Sequence, residues 1–229
     1  MDYLIKEYKK RCKEEFANYG FKSFRNNHYR IINDIFQSFN LHRSVSGSDC
    51  TVEFGIIPLS VGYDLDKSSC NPYHLKVFEN TYEWFSYDRN SIISVDMCID
   101  EMFVYMKKYL MPLFEKAEDS KSAYSIMCNY ESVFAGNAYE RFCMCLNFKN
   151  FDDAKVHIEK VIKQNEYAFE RNKEAFGENI TQEYIQKIEK KISEKRNLLK
   201  LVETKNYSTI QEWLKTNEKR NKHNLGVKD

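Results

Sequence analysis

The chain has 229 residues, with 35 lysines and arginines against 34 aspartates and glutamates and a formal net charge of +1. A chain of this length buries roughly 70 to 75% of the surface that its unfolded form exposes, so it needs neither disulfides nor a metal ion to fold. The balanced charge excludes a whole-chain electrostatic field that would recruit nucleic acid or an acidic membrane.

The seven cysteines are odd in number and lie mostly among apolar residues. This pattern indicates reduced, packed thiols rather than a disulfide framework. The N-terminal segment MDYLIKEYKKRCKEEF carries charges throughout, and no later run approaches the roughly 18 apolar residues of a membrane span. We therefore expect a cytoplasmic protein without a membrane partner.

The first part of the chain is predicted to be a helix followed by an antiparallel sheet. Apolar residues recur at helical spacing over residues 4–19, and Gly20 follows, where a helix end favours a residue that tolerates positive φ. Between residues 24 and 87 the apolar period drops to two and β-forming residues dominate. The segments that predict about four strands are NHYRII, IFQSFNLHRS, TVEFGII and TYEWFSYD.

Helical spacing returns at residue 91 and persists to the end of the chain. A stripe over residues 95–113 predicts a helix that Pro112 bends or ends, and Ser120 is predicted to cap a helix that runs to residue 134. These patterns predict an α+β domain at residues 1–134 and an all-α extension at residues 137–229, either separate or packed on the first domain. Four helices are predicted in the extension, at residues 137–146, 152–176, 181–204 and 208–219.

The register of the first hairpin decides which side chains share a sheet face. A two-residue turn at Asn33-Asp34 would place His28 opposite Phe39 and would mix polar and apolar side chains on each face. A three-residue connection that also includes Ile35 separates them, and three-residue hairpin loops are common. We therefore predict the three-residue connection, which places His28 opposite Asn40.

This register predicts a polar array on one face of the sheet. His28, Asn40 and Glu53 form one cross-strand row, and Arg30 and His42 lie on the same face. The array is either a solvated or helix-covered sheet face, or a site for ligand binding or acid–base chemistry. The neighbouring buried row is predicted to contain Tyr29, Phe39 and Phe54.

Several motifs stand out in the first part of the chain: the Gly20-Phe21-Lys22 turn, Tyr29-Arg30, Gln37, His42-Arg43-Ser44, Trp84 and Leu110-Met111-Pro112. With these motifs, about residues 1–134 resemble the bacterial family catalogued as domain of unknown function 4304. The resemblance implies an α+β fold and no catalytic residue, because none is defined for that family. The segment from residue 58 to residue 80 is longer than the family's usual connection, and the chain after residue 134 has no counterpart.

No catalytic, metal or cofactor signature stands out. Cys70 and His74 could both bind a metal ion, but no second pair of ligands completes a tetrahedral site. Cys143 and Cys145 point in different directions on a predicted helix. The chain has no phosphate-binding glycine loop and no nucleophile elbow. We therefore predict no catalytic residue, no metal site and no cofactor.

The C-terminal helices are basic, with seven basic against three acidic residues between residues 187 and 205. Glutamates alternate with the lysines at helical spacing, as on a solvent-exposed helix. No aromatic residues accompany these lysines, so nucleic acid is not the predicted partner.

Two functional classes remain. We predict a non-catalytic protein-binding module of the adaptor or toxin-neutralising immunity type, because Tyr63, Tyr73, Tyr82 and Trp84 are residue types that serve as binding anchors. Core packing is the competing explanation for these aromatics. The alternative function is an enzyme or small-ligand-binding protein that uses the polar array, and a pocket that excludes water would favour it. The predicted binding residues are His28, Arg30, Asn40, His42, Glu53, Tyr73 and Trp84.

Overall fold

The computed structural model of the protein describes residues 2–70, 73–79 and 84–227. An N-terminal helix leads into an antiparallel sheet, and helices follow, so the predicted α+β class is confirmed. The helices are α1 (Tyr3–Glu15), α2 (Ile92–Tyr105), α3 (Met111–Lys116), α4 (Ser120–Asn129), α5 (Ala138–Asn147), α6 (Phe151–Phe176), α7 (Gln182–Glu203) and α8 (Tyr207–Leu225). The strands are β1 (Lys22–Phe24), β2 (Asn27–Ile32), β3 (Ile35–Arg43), β4 (Asp49–Pro58), β5 (Tyr73–His74) and β6 (Phe85–Ser86).

The strands form one sheet in the order β1-β2-β3-β4-β5, and β6 also pairs with β4. All five pairings are antiparallel. The described residues contain six strands where about four were predicted, because β1 and β5 have only three and two residues and are too short to show alternation. Residues 81–83, which belong to the fourth predicted strand, lie outside the described residues.

Several helix ends differ from the prediction, and the last helix runs to Leu225 rather than to residue 219. The N-terminal helix passes into a short 3-10 turn (Ala17–Tyr19), and Gly20 closes this turn at a φ of +75°. The cap of α4 is Asp119 rather than Ser120, because the Asp119 carboxylate accepts the N–H of the third helical residue. This helix ends at Asn129 rather than at residue 134.

The first hairpin has the register that sequence analysis rejected. A two-residue turn at Asn33-Asp34 joins β2 to β3 and places His28 opposite Phe39. Asn33 has a φ of +49°, which asparagine tolerates and which the first residue of a tight hairpin turn requires. The predicted pairing of His28 with Asn40 is therefore wrong. The predicted register of β3 with β4, which places Asn40 opposite Glu53, is confirmed.

The register prediction failed because both faces of the sheet are buried. One face, here called the front face, carries Phe39 and Phe54 and packs against the first helices of the chain. The other, called the back face, carries Tyr29, Phe36 and Ile57 and packs against the C-terminal helices. Tyr29 is thus buried, but not in the row of Phe39 and Phe54. Alternation selects a register only where one face is open to water, so it carried little information here.

Buried polar contacts tie the C-terminal helices to the sheet. Asn221 in α8 is fully buried, and its side-chain amide donates to the carbonyl oxygens of Leu59 and Val61 at 2.9 and 3.0 Å. Asp34, in the hairpin turn, accepts a hydrogen bond from the side chain of Asn147 in α5 at 3.1 Å. The helical extension is therefore packed on the α+β part of the chain.

Candidate functional site

The five polar residues that were predicted to form one array lie on two faces of the sheet. His28 and Arg30 lie on the front face, whereas Asn40, His42 and Glu53 lie on the back face. A shift of one residue in register moves every side chain of a strand to the opposite face, and this shift separates the two groups. The structure therefore does not bring the five residues together as one site.

His28 is a core residue. Its ring stacks on Phe39 at 5.0 Å between centroids and meets Tyr8 edge-on at 6.0 Å. Its Nδ1 lies 3.1 Å from the hydroxyl oxygen of Ser23. Burial lowers the pKa of this imidazole to about 4, and the charge of Lys9 adds to the effect. The ring is therefore neutral at pH 7 and packs as an aromatic side chain.

Acid should destabilise the protein through His28. Its pKa rises from about 4 in the folded chain to the ordinary 6.5 on unfolding, so the unfolded state takes up the proton first as the pH falls. The stability that the neutral ring provides is fully present above pH 6.5 and is lost as the pH falls toward 4. Between pH 7 and pH 5 we expect the free energy of unfolding to fall by about 2 kcal/mol through this residue alone.

Urea titrations at the two pH values measure this loss. The variant His28→Phe keeps the stacked ring. Between pH 7 and pH 5 its free energy of unfolding should fall by about 2 kcal/mol less than that of the wild type. The matched control is His223→Phe, at an exposed position of α8, which should keep the wild-type dependence. Equal pH dependence in His28→Phe and wild type would contradict a neutral, buried His28.

Arg30 joins the sheet to the ends of two helical segments. Its Nε donates to Gln37 Oε1 at 2.7 Å, and its Nη1 donates to the carbonyl oxygen of Tyr19 at 2.6 Å. Its guanidinium lies 4.7 Å from the centre of the Phe21 ring. Gln37 is fully buried and donates in turn to two carbonyl oxygens at the end of α3, both at 2.8 Å. Helix-end carbonyls lack partners within the helix, so this network has a structural role.

The back face brings together a different set of side chains. Glu53 Oε1 lies 3.4 Å from His42 Nδ1 and 3.9 Å from His74 Nε2. The indole of Trp84 meets both imidazoles edge to face, at 5.3 and 5.0 Å between centroids. Asn40 lies opposite Glu53 in β3. We call His42, Glu53, His74 and Trp84 the histidine–tryptophan cluster.

The histidine–tryptophan cluster is open on one side. The His42 side chain is 46% exposed, whereas that of Glu53 is 16% exposed. Burial lowers the pKa of His74, so its imidazole is neutral at pH 7. Within the described ranges, no group of three His, Cys, Asp or Glu side chains could hold a metal ion. Trp84 also lines a shallow basin of about 450 Å³, whose other lining residues are Ser44, Asp49 and Ser86.

The aromatic residues that were predicted as anchors differ in their packing. Tyr73 lies against Phe134 in the front-face core, at 5.3 Å between ring centroids. The Tyr63 hydroxyl donates to Glu140 Oε1 at 2.6 Å. Core packing therefore accounts for the Tyr73 ring, whereas Tyr63 is 38% exposed. Tyr82 lies outside the described residues.

A set of exposed apolar side chains, which the sequence pattern does not reveal, lies on α2. Ile92, Ile93, Met97 and Val104 are each between 61 and 74% exposed. Positions 93, 97 and 104 share one side of the helix because they are four and seven residues apart. The sequence signal for this set is that α2 is apolar on both sides. The stripe at residues 95–113 needs only one of these sides to form the core, so the other apolar side is left over. We call these four residues the α2 face.

Acidic side chains lie on and beside the α2 face, and Asp100 falls between Met97 and Val104 on the same side of the helix. The helix contains Asp96, Asp100 and Glu101 and no basic residue. The Asp100 side chain is 66% exposed, whereas Arg11, which pairs with it at 2.6 Å, is 23% exposed. Glu101 likewise pairs with the less exposed Lys76. The carboxylates face solvent and their basic partners lie deeper, so an approaching molecule meets negative charge.

Comparisons of the chain with protein-family models, with curated protein sequences and with solved structures find no match. In the part of the chain that the structure describes, no helix combines the length and the apolar character needed to cross a membrane. The resemblance to the domain of unknown function 4304 family therefore stays a prediction, and the function has to be inferred from geometry and charge.

Proposed function

We propose that the protein is a non-catalytic, cytoplasmic protein-binding module of the adaptor or toxin-neutralising immunity type, and that its partner binds the α2 face. The observation that carries this proposal is the exposure of Ile93, Met97 and Val104 along one side of a helix. Exposed apolar side chains grouped with charged ones, here with Asp100 between Met97 and Val104, are typical of protein-binding surfaces. Burial of such a helix face in a hydrophobic groove of the partner is a common mode of helix recognition.

Charge indicates the chemistry of the partner. The outward carboxylates of Asp100 and Glu101 favour a partner whose apolar groove is flanked by lysine or arginine. The same carboxylates disfavour an anionic membrane surface. They also disfavour a second copy of the chain, because a two-fold pairing of α2 that places Ile93 against Val104 places Asp96 against Glu101. A basic partner protein is therefore the proposed occupant.

The alternative function needs the polar array as one pocket. It would use His28, Arg30, Asn40, His42 and Glu53 as an enzyme or small-ligand site. The observed register places the first two on the front face and the other three on the back face. Geometry therefore favours the protein-binding function.

Lysine substitutions on the α2 face test the proposal. Met97→Lys and Val104→Lys each remove an apolar contact and place a positive charge against a basic partner. We expect each to weaken binding by about 30- to 100-fold, the range of interface hot spots. Affinity is measured with the partner that co-purifies with the wild-type protein. Melting curves should stay unchanged, because both positions are exposed.

The matched control is Val156→Lys in α6. Val156 and Val104 are both 61% exposed and both lie on helices, so the two substitutions have equal cost for the fold. Val156→Lys should bind as the wild type does. Weakened binding in all three variants, or in none, would contradict the proposal. A wild-type homodimer that Met97→Lys dissociates would also contradict it.

A further inference from the structure

A second concave site lies apart from the α2 face. It is a pocket of about 480 Å³ where the junction of α2 and α3 meets α4 and the 3-10 turn Leu75–Glu79. Small-molecule sites occupy roughly 300 to 1,000 Å³, so the volume suits a small ligand. The pocket combines aromatic, aliphatic and basic side chains, among them Phe78, Lys108, Tyr109, Leu113, Lys116 and Tyr130.

The aromatic wall of the pocket is anchored in the core. Phe78 stacks on the buried ring of Phe54 and on Tyr109, with 5.4 Å between centroids in each case. Tyr130 meets Phe78 edge to face at 5.8 Å. Rings that are held on several sides need little rearrangement when a ligand binds, so the wall is preorganised.

The helix is irregular at the edge of the pocket. The sequence predicts that Pro112 bends or ends this helix, but α2 continues into α3 through a π turn (Met106–Leu110), in which the Met111 N–H donates to the Met106 carbonyl. Proline has no N–H to donate, which explains the irregular turn, and π turns occur frequently at functional sites. The turn carries Lys108 and Tyr109, and both line the pocket.

The lining has one positive charge in excess. The Glu79 carboxylate accepts hydrogen bonds from the hydroxyls of Tyr105 and Tyr109 and lies 3.6 Å from Lys108 Nζ. The hydrogen bonds from Tyr105 and Tyr109 lower the pKa of Glu79, so it is ionised at pH 7 and balances Lys108. Lys116 forms no ion pair with any residue inside the described ranges. A monoanion would restore neutrality at this point.

We propose that this pocket binds a small carboxylate with an aromatic body. The carboxylate pairs with the ammonium group of Lys116, and the ring lies against Tyr130 and the aliphatic side chains at the base of the pocket. Tyr130 suits this contact because its ring is about half exposed while its edge-on packing against Phe78 fixes its orientation. A charge-assisted contact and an aromatic contact together select the anion over an amine of the same shape.

Calorimetric titration of the full chain with 3-phenylpropionate tests the proposal, and 3-phenylpropylamine serves as the probe of opposite charge. The carboxylate should bind and the amine should not. Lys116→Gln should weaken binding of 3-phenylpropionate by about tenfold or more, whereas Lys116→Arg should retain it. Because Lys116 is exposed, both variants should fold as the wild type does.

The matched control is Lys121→Gln, at an exposed lysine of α4 that does not line the pocket. It should bind 3-phenylpropionate as the wild type does. Amide chemical shifts on titration should change around Tyr109 and Tyr130. Equal binding of the amine, equal weakening in Lys116→Gln and Lys121→Gln, or no binding of 3-phenylpropionate at millimolar concentration would each overturn the proposal.

Discussion

Truncation of Phe54 to alanine is expected to lower the free energy of unfolding by about 3 to 5 kcal/mol. Phe54 is fully buried in β4, where its ring stacks on Phe78 and meets Phe134 edge to face. Its removal leaves a cavity between the sheet and the front-face helices that the neighbouring rings fill only in part. Total stabilities are roughly 5 to 15 kcal/mol, so this variant loses a large fraction of its stability. Urea denaturation followed by circular dichroism measures the loss.

The control for Phe54→Ala is Tyr167→Ala in α6. Tyr167 is 68% exposed, so its truncation should change the free energy of unfolding by less than about 0.5 kcal/mol. If Phe54→Ala does not accumulate as folded protein, Phe54→Leu retains more of the side-chain volume and should show a smaller loss. A Phe54→Ala variant as stable as Tyr167→Ala would contradict the front-face core.

Replacement of Arg30 by alanine is expected to cost about 3 kcal/mol of stability. The substitution removes the donor to Gln37 Oε1 and the donor to the carbonyl oxygen of Tyr19. Gln37 is fully buried, so its oxygen is left without a donor and without water. An unsatisfied buried acceptor costs about 1 to 3 kcal/mol, and the lost contact of the guanidinium with the Phe21 ring adds to it. Thermal and urea unfolding of Arg30→Ala measure the effect.

His42→Ala is the comparison for Arg30→Ala. The sequence pattern predicts Arg30 and His42 on one face, but His42 lies in the histidine–tryptophan cluster, and its side chain is 46% exposed. The pair with Glu53 should therefore be worth less than about 1 kcal/mol. Equal stability of the two variants would show that Arg30 does not hold the helix ends to the sheet.

Part of the sheet was predictable because its sequence pattern is local. In β3 and β4, Phe39 faces Phe54 and Leu41 faces Val52, as the alternation of the two segments predicts. Two runs of nine and ten residues provide enough alternating positions to fix their register.

The first hairpin was not predictable in this way because distant residues determine it. Asp34 of the turn accepts hydrogen bonds from the backbone N–H of Ser120, 86 residues away, and from Asn147, 113 residues away. These partners hold a two-residue turn that local alternation disfavours. A local pattern also cannot show that the C-terminal helices cover the second sheet face. The predicted register assumed that one face is polar, and this cover makes that assumption wrong.

The candidate sites were predictable in part. Alternation in the sequence predicts His42 and Glu53 on one face, and the structure brings them together. His74 and Trp84 join them from segments whose path the sequence does not reveal. The α2 face was missed for a related reason: helical spacing shows that a side chain is apolar, but which apolar side remains exposed depends on what packs against it.

Photo-crosslinking in cells that produce the protein natively tests the α2 face most directly. A p-benzoylphenylalanine at position 97 should give one discrete adduct on irradiation, and the same group at position 156 should give none. Adding Val104→Lys to the position-97 protein should abolish the adduct, and the crosslinked segment of the partner should carry apolar residues flanked by lysine or arginine. An adduct that forms equally at positions 97 and 156, or that persists with Val104→Lys, would contradict binding through the α2 face.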